Sequence, residues 1–471
     1  MLPIIFALLH KLNLFVTKGF RCNGKPVVAC QETSLYQSKI TLLTRIEDIL
    51  LSHTEYAPPH ILERIQRSKM QRILQSTSHV PYWRMRVQSE SVLFRNIKSA
   101  VEIQELPIMM REDVQREFST GLMVNQLLPI ERRVLAQTSG STGEPLSFFL
   151  DTILVVGRRA CCWRMLRWCK KGKRPLLIRA KGAHHLGPLN FKGIYTFETR
   201  GYADVDTMLL HLYTFTLSLA KRFSTSIILD MFPSYLARFT QIAQASKFDM
   251  SHITGLLTGG ESLSLGEREY IEQAFSHKIR SKYTSMEFLV IGQECGQSPE
   301  HAFHVNAEYF YVEIVDAKGS PLPLGQTGRI IITSLDHEAQ PFLRYDTGDL
   351  GRLLEDSCPC GRTLPLLLVE GRQAHLITLP SGKTHSQFSI IKHFYKHHIV
   401  KHVREFQIVH ETPAALTVRI VPYEAKNSNI IPILREGLSK TFDDEVHVTI
   451  ELVENIPKAK SGKRIGYIKK F

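Results

Sequence analysis

Cysteine is scarce, 8 in 471 residues. Cys161 and Cys162 are adjacent and a single proline separates Cys358 from Cys360, poor geometry for a disulfide framework, which excludes a small disulfide-stapled module. A reducing cytoplasm is the simpler home for such a chain. Long apolar runs are also missing. The opening MLPIIFALLHKLNLFV has no basic leader and no small-residue cleavage site, and Lys11 interrupts it short of a spanning length, so neither a signal peptide nor a membrane span is expected. Ile4, Ile5, Leu8, Leu9 and Leu12 recur at helical spacing, a pattern that suits packing on a core or, as the alternative, peripheral association with a membrane. Internal repeats, low-complexity tracts, aromatic-interleaved basic runs and groove-reading motifs are absent, so no nucleic-acid partner is expected.

What remains is globular: 43% of the residues are hydrophobic and 22% charged, enough for two to four domains at roughly 100–200 residues each. Lys and Arg outnumber Asp and Glu by 59 to 45, giving +14. From Arg372 onward there are 16 basic and 9 acidic residues, so half of the excess lies in the last hundred positions and points to an anionic partner there. Up to about Glu131 the apolar residues of TLLTRIEDILLSHTEY, HILERIQRSKMQRILQST and REDVQREF fall three and four apart, which predicts helices. From Arg133 to about Gly260, short runs (RPLLIRA, STSIILDMF, ITGLLTGG) alternate with helical stretches such as VDTMLLHLYTFTLSLAKRF, which predicts βα units and a mainly parallel sheet. Tyr309–Ser334 reads as two strands about a Gly/Pro-rich turn. After Gly371, a helix (SIIKHFYKHHIV), two alternating strands (REFQIVHE, ALTVRIV), a second helix (IIPILREGLSKTF) and a third strand (VHVTIELV) predict a small α+β domain. The fold class expected is therefore α/β.

The segment Thr138-Ser139-Gly140-Ser141-Thr142-Gly143-Glu144-Pro145 follows the strand-like RRVLAQ. Glycines there let backbone N–H groups approach phosphate oxygens and hydroxyls add donors, although the Gly-Lys-Ser/Thr ending of a Walker A loop is missing. Cys295, His301, His304 and the pair Cys358-Pro359-Cys360 offer thiolate and imidazole ligands from two segments. Three cysteines and one histidine would saturate tetrahedral Zn²⁺ and make the site structural.

Further along lie Gly259-Gly260-Glu261, Tyr283-Thr284-Ser285-Met286-Glu287, Arg344-Tyr345-Asp346-Thr347-Gly348-Asp349, Gly371-Arg372 and Ser461-Gly462-Lys463-Arg464. With this ordered set the chain, from about Pro107 to its end, resembles the adenylate-forming superfamily of acyl-coenzyme A synthetases, peptide-synthetase adenylation domains and luciferases. Within it the likeness is to the phenylacetate-coenzyme A ligase branch, especially its capsule-biosynthesis (CapK-type) members.

The resemblance implies a large part, residues 1–371, and a small mobile α+β domain, residues 372–471. It implies ATP-dependent activation of a small-molecule carboxylate as an acyl-adenylate, with transfer to coenzyme A or an amine. Thr138, Ser139, Gly140, Ser141, Thr142 and Gly143 would hold the β- and γ-phosphates, and Gly260 and Glu261 would line the adenine edge. Tyr283 would stack on adenine with Thr284 and Ser285 beside the nucleotide, and Glu287 would bind Mg²⁺. Asp349 would accept from the ribose hydroxyls, Arg344 and Arg372 would offer guanidinium forks to phosphate, ribose or interdomain carboxylates, and Lys463 would neutralise charge on the α-phosphate. The branch pattern favours His304, with Cys295, Cys358 and Cys360, as the zinc ligand. Leu146 stands where many superfamily members have lysine, Met286 where a hydroxyl residue precedes the glutamate, and Gln373 and Ala374 where hinge carboxylates follow Gly-Arg. Met286 and the missing hinge carboxylates keep a rival reading in view: a catalytically weak or inactive nucleotide-binding protein on the same fold.

Overall fold

Pro59 occupies the first turn of the helix Pro59–Thr77, where its missing N–H leaves no bond unmade. Leu62, Ile65, Met70, Ile73 and Leu74 then bury one stripe of that helix. The computed structural model describes residues 34–88, 100–138, 145–151, 154–169, 176–181, 194–198, 202, 204–223, 226–247, 249–263, 265–385, 390, 393–394, 399–422, 430–457 and 466–471. The opening apolar stretch lies outside them. The chain divides into two units, Met1–Cys169 with Lys282–Val369, and Lys170–Ser281 with Glu370–Phe471.

In the first unit the helix Ser34–Thr54 packs on Leu154–Cys169, and Pro81–Gln88 and Arg111–Phe118 complete the expected helical lead-in. The run Arg133–Gln137 departs from the βα expectation: it pairs antiparallel with Ser147–Asp151, Arg133 opposite Asp151. The few residues between the two strands are too short a connection for a parallel crossover, so a hairpin is the available solution. The sheet in this unit runs Phe310–Val315, Gly328–Ser334, Tyr345–Leu353, Leu366–Arg372, Phe303–Val305, Leu289–Gln293, Ile279–Ser285, with a unit boundary inside each of Leu366–Arg372 and Ile279–Ser285. Phe310–Val315 and Gly328–Ser334 pair antiparallel about the predicted Gly/Pro turn. Ile330, Ile331 and Ile332 are fully buried there, and Trp83, Phe148, Phe288, Phe310 and Phe342 join the same core.

The second unit has parallel strands in the order Ile194–Glu198, Leu176–Lys181, Ile227–Met231, Ile253–Gly259, connected by helices such as Val205–Phe223 and Pro233–Ala245. Ile227–Met231 is buried at every position, the signature of a parallel strand covered on both faces. The same unit contains a four-stranded sheet ordered His447–Leu452, Ala415–Pro422, Val403–Thr412, Tyr467–Lys469, with the helix Ile430–Thr441 and a core of its own. The helix expected over SIIKHFYKHHIV lies mostly outside the described residues; Ile390, His393 and Phe394 are helical and buried. Among the described residues no helix is long and apolar enough to cross a membrane.

Candidate active site and metal centre

The Gly/Ser/Thr-rich segment connects the two strands of the hairpin in sequence. Its base is closed by Thr138 N–H donating to the Leu146 carbonyl (2.9 Å) and Leu146 N–H donating to Thr138 Oγ1 (2.8 Å). Leu146 is fully buried, so its side chain anchors the base of the hairpin. Ser139, Gly140, Ser141, Thr142 and Gly143 lie outside the described residues.

Tyr283, near the end of Ile279–Ser285, donates its hydroxyl to Asp349 Oδ2 at 2.6 Å. Both residues are 8% exposed, and the Tyr283 ring packs on Phe303 with centroids 5.9 Å apart. Two residues predicted to face the nucleotide are thus joined directly, and a hydroxyl donor holds the carboxylate's orientation. Glu287 follows on the same segment, buried, with Oε1 accepting from the Tyr345 hydroxyl at 3.3 Å. Ser285 Oγ accepts from Phe288 N–H at 3.2 Å, which fixes the turn carrying Glu287, while Thr284 and Ser285 stay partly exposed. Met286 packs against the apolar core, so this position supplies no polar contact.

Arg344 is placed differently from the expectation of a nucleotide-facing fork. It is 4% exposed, ion-paired to Glu313 (Nη2 to Oε1 3.1 Å), and its guanidinium donates to the carbonyls of Gln104, Leu106 and Gly319. Buried charge requires such compensation, and the arrangement makes Arg344 a clamp on the segment entering the sheet. In the second unit Gly260 has φ +83°, a conformation that favours glycine, and Glu261 Oε2 accepts from Ser234 N–H at 3.3 Å at the start of Pro233–Ala245. Arg372 ends its strand exposed. Lys463 lies outside the described residues.

Cys295, His304, Cys358 and Cys360 converge, their ligand atoms all within 4.8 Å of one another. Cys295 Sγ is 3.5 Å from Cys358 Sγ, and His304 Nε2 is 3.4 Å from Cys360 Sγ. Zinc–sulfur bonds of about 2.3 Å and zinc–nitrogen bonds of about 2.0 Å place tetrahedral ligands roughly 3.5–3.8 Å apart, so the donor set fits Zn²⁺. His301 is not in the group. Burial, followed by the Arg362 charge, pushes His304 down to about 4, which keeps the imidazole neutral. Burial pushes Cys358 up to about 12. Cys360 opposes its own burial penalty with hydrogen bonds to the backbone and side chain of Arg362 and ends below its ordinary value.

Residues that the sequence did not single out brace this cluster. The Trp168 ring meets His304 edge-on at 5.4 Å, Trp168 Nε1 donates to Glu55 at 2.8 Å, and the Arg362 guanidinium lies 4.1 Å above the Trp168 ring. Thr363 ties the cysteine loop to the turn after Ser34–Thr54 through Glu55 O (2.9 Å) and Ala57 O (2.6 Å). Arg362, in Cys-Pro-Cys-Gly-Arg, was the one legible signal.

The fold is that of the adenylate-forming enzymes. A crystal structure of 2-hydroxyisobutyryl-CoA ligase in the postadenylation state aligns with TM-score 0.71 at 20% identity, covering 89% of this chain and 92% of that one. The same ligase with 2-HIB-AMP and CoA in the thioesterification state aligns with TM-score 0.58 over 89% and 92%. Within that class the chain resembles the phenylacetate-coenzyme A ligases and has a CapK-type end. It is 23% identical over 333 residues to the phenylacetate-coenzyme A ligase of Thermus thermophilus (66% of this chain, 69% of that one) and 25% identical over 334 residues to that of Aromatoleum evansii (66% and 73%). Residues 381–470 match the CapK C-terminal domain family.

Proposed function

We propose that the protein is an adenylate-forming ligase that activates a small-molecule carboxylate with MgATP and passes the acyl group to coenzyme A. The observation that carries this reading is the Tyr283–Asp349 pair beside the buried Glu287, set on a fold otherwise found in ligases with acyl-AMP and CoA. A substrate carboxylate oxygen attacks the α-phosphorus, the bond to the bridging oxygen breaks, and pyrophosphate leaves with that electron pair. The acceptor then attacks the acyl carbon and AMP leaves. The protein's task is alignment and charge stabilisation.

In this reading Asp349 accepts from the ribose hydroxyls and is held for that task by Tyr283, whose ring, with Gly260 and Glu261, borders the adenine. Thr284 and Ser285 lie beside the nucleotide. Glu287 would hold Mg²⁺, a hard cation on a carboxylate, which would supply charge neutralisation at the phosphates. Residues 138–143 hold the outer phosphates, Arg372 engages phosphate or ribose, and Lys463 neutralises the α-phosphate during attack. Zn²⁺ on Cys295, His304, Cys358 and Cys360 is structural, because four protein ligands leave no position for substrate. The domain from about Arg372 is the mobile one.

The test is carboxylate-dependent ATP–pyrophosphate exchange over aryl, fatty, amino and hydroxy acids, comparing wild type with Lys463→Ala. Exchange with one acid class, lost in the variant, is expected. Adding coenzyme A or amines to the adenylate and identifying the conjugate by mass spectrometry then names the acceptor. ATP binding without exchange on any acid would transfer support to the quiet nucleotide-binding reading, which the core-packed Met286 favours.

A further inference from the structure

The short strand Tyr467–Lys469 starts three residues beyond Arg464 and pairs parallel with Val403–Thr412, Tyr467 opposite Ile408 and Lys469 opposite His410. Three residues of strand are little to hold a chain end, and the side chain of Tyr467 adds what the ladder lacks. Tyr467 is 5% exposed. Its hydroxyl lies 3.0 Å from His410 Nδ1 and donates to the Leu376 carbonyl at 3.4 Å, and its ring packs on that of His375 with centroids 5.0 Å apart at 33°. His410 is fully buried and also meets Phe471 edge-on at 4.8 Å. One side chain therefore joins three pieces of backbone: the turn directly after Arg372, the centre of the sheet, and the strand that follows the Lys463 segment.

We propose that Tyr467 is a positioning residue, a pin that makes the residues after Arg372 and the strand Tyr467–Lys469 move as one body, so that the strand next to Lys463 in sequence follows rotation about Arg372. This rests on the reading of the chain as an adenylate-forming ligase with Lys463 acting in adenylation. Simple burial of an aromatic ring would not require the hydroxyl, since a phenylalanine fills the same space. The hydroxyl is what reaches both Leu376 and His410. Losing it leaves packing intact and frees the two segments from each other.

The experiment is full-length Tyr467→Phe beside Lys463→Ala and wild type, with each half-reaction measured apart. For Tyr467→Phe, kcat for pyrophosphate exchange is expected to fall about tenfold, the size of one good hydrogen bond. KM for ATP should stay within about twofold, and acyl transfer from supplied adenylate should be unchanged. Hydrogen exchange of amides at 467–469 and 373–376 should quicken together while those of Val403–Thr412 and Ala415–Pro422 keep their rates. Wild-type exchange in Tyr467→Phe, or quickening spread over the whole four-stranded sheet, overturns the pin. Absence of exchange in wild type, or its survival in Lys463→Ala, overturns the underlying reading instead. If Tyr467→Phe does not fold, His410→Gln, which keeps a polar partner for the hydroxyl, should retain exchange and slow amide rates at 373–376, and loss of both would contradict the proposal.

Discussion

A carboxylate that is to hold a cation needs an oxygen to give, and among the described residues Glu287 spends only Oε1, in a long 3.3 Å contact from Tyr345. Glu287→Gln keeps the shape and that contact but removes the charge. Pyrophosphate exchange should fall about a hundredfold and the Mg²⁺ requirement should rise, with metal-free ATP binding unchanged, as titration of exchange against Mg²⁺ will show. His337 makes a separate prediction. It is fully buried, Nε2 bonds the Phe149 carbonyl at 2.9 Å, and burial pushes its pKa down to about 4 from 6.5. Because the folded value lies below the unfolded one, the stability it supports is complete above about pH 6.5 and drains away as the pH falls toward 4. Denaturant unfolding of wild type against His337→Gln across that window should show wild type losing about 3 kcal/mol more than the variant.

At the scale of elements, the proposed zinc on Cys295, His304, Cys358 and Cys360 would work as a staple. Cys295 follows Leu289–Gln293, His304 lies in Phe303–Val305, and the cysteine loop is bonded to the turn after Ser34–Thr54 through Thr363. Without metal these segments keep their strand pairing and the Thr363 bonds but lose the shared tie among the four ligands. A chelator under reducing conditions, or Cys358→Ser, is expected to bring zinc from one per chain to below about a fifth and to lower the unfolding temperature by several degrees. Metal analysis and calorimetry on the same samples check it, and a zinc-free wild type of unchanged stability would contradict it. The cysteine pair was legible because its spacing is local. Glu55 and Trp168 were not, since they come together from positions more than a hundred residues apart and each alone reads as an ordinary surface or core residue. The helices before Glu131 and the parallel strands were legible for the same local reason, through their periodicity. The hairpin at Arg133–Asp151 was not, because strand direction is decided by the connection, and Tyr467–Lys469 is too short to leave a pattern. Arg344 shows the converse: its partners, Glu313 and three carbonyls, are matters of packing that the spacing of its motif does not reveal.

At the scale of the whole molecule, the net charge of +14 suits anionic reactants such as nucleotide and coenzyme A, and half of it lies from Arg372 onward, in the part that matches the CapK C-terminal domain. The central claim is that ATP is opened at its α-phosphorus. The direct measurement is a single turnover with α-labelled ATP and the acid found by exchange, followed by mass spectrometry of the quenched enzyme. Acid-dependent acyl-AMP, in amounts comparable to the enzyme and accompanied by pyrophosphate, is the predicted result. Formation of ADP with an acyl phosphate, or no consumption of ATP by an enzyme that binds it, would contradict the account.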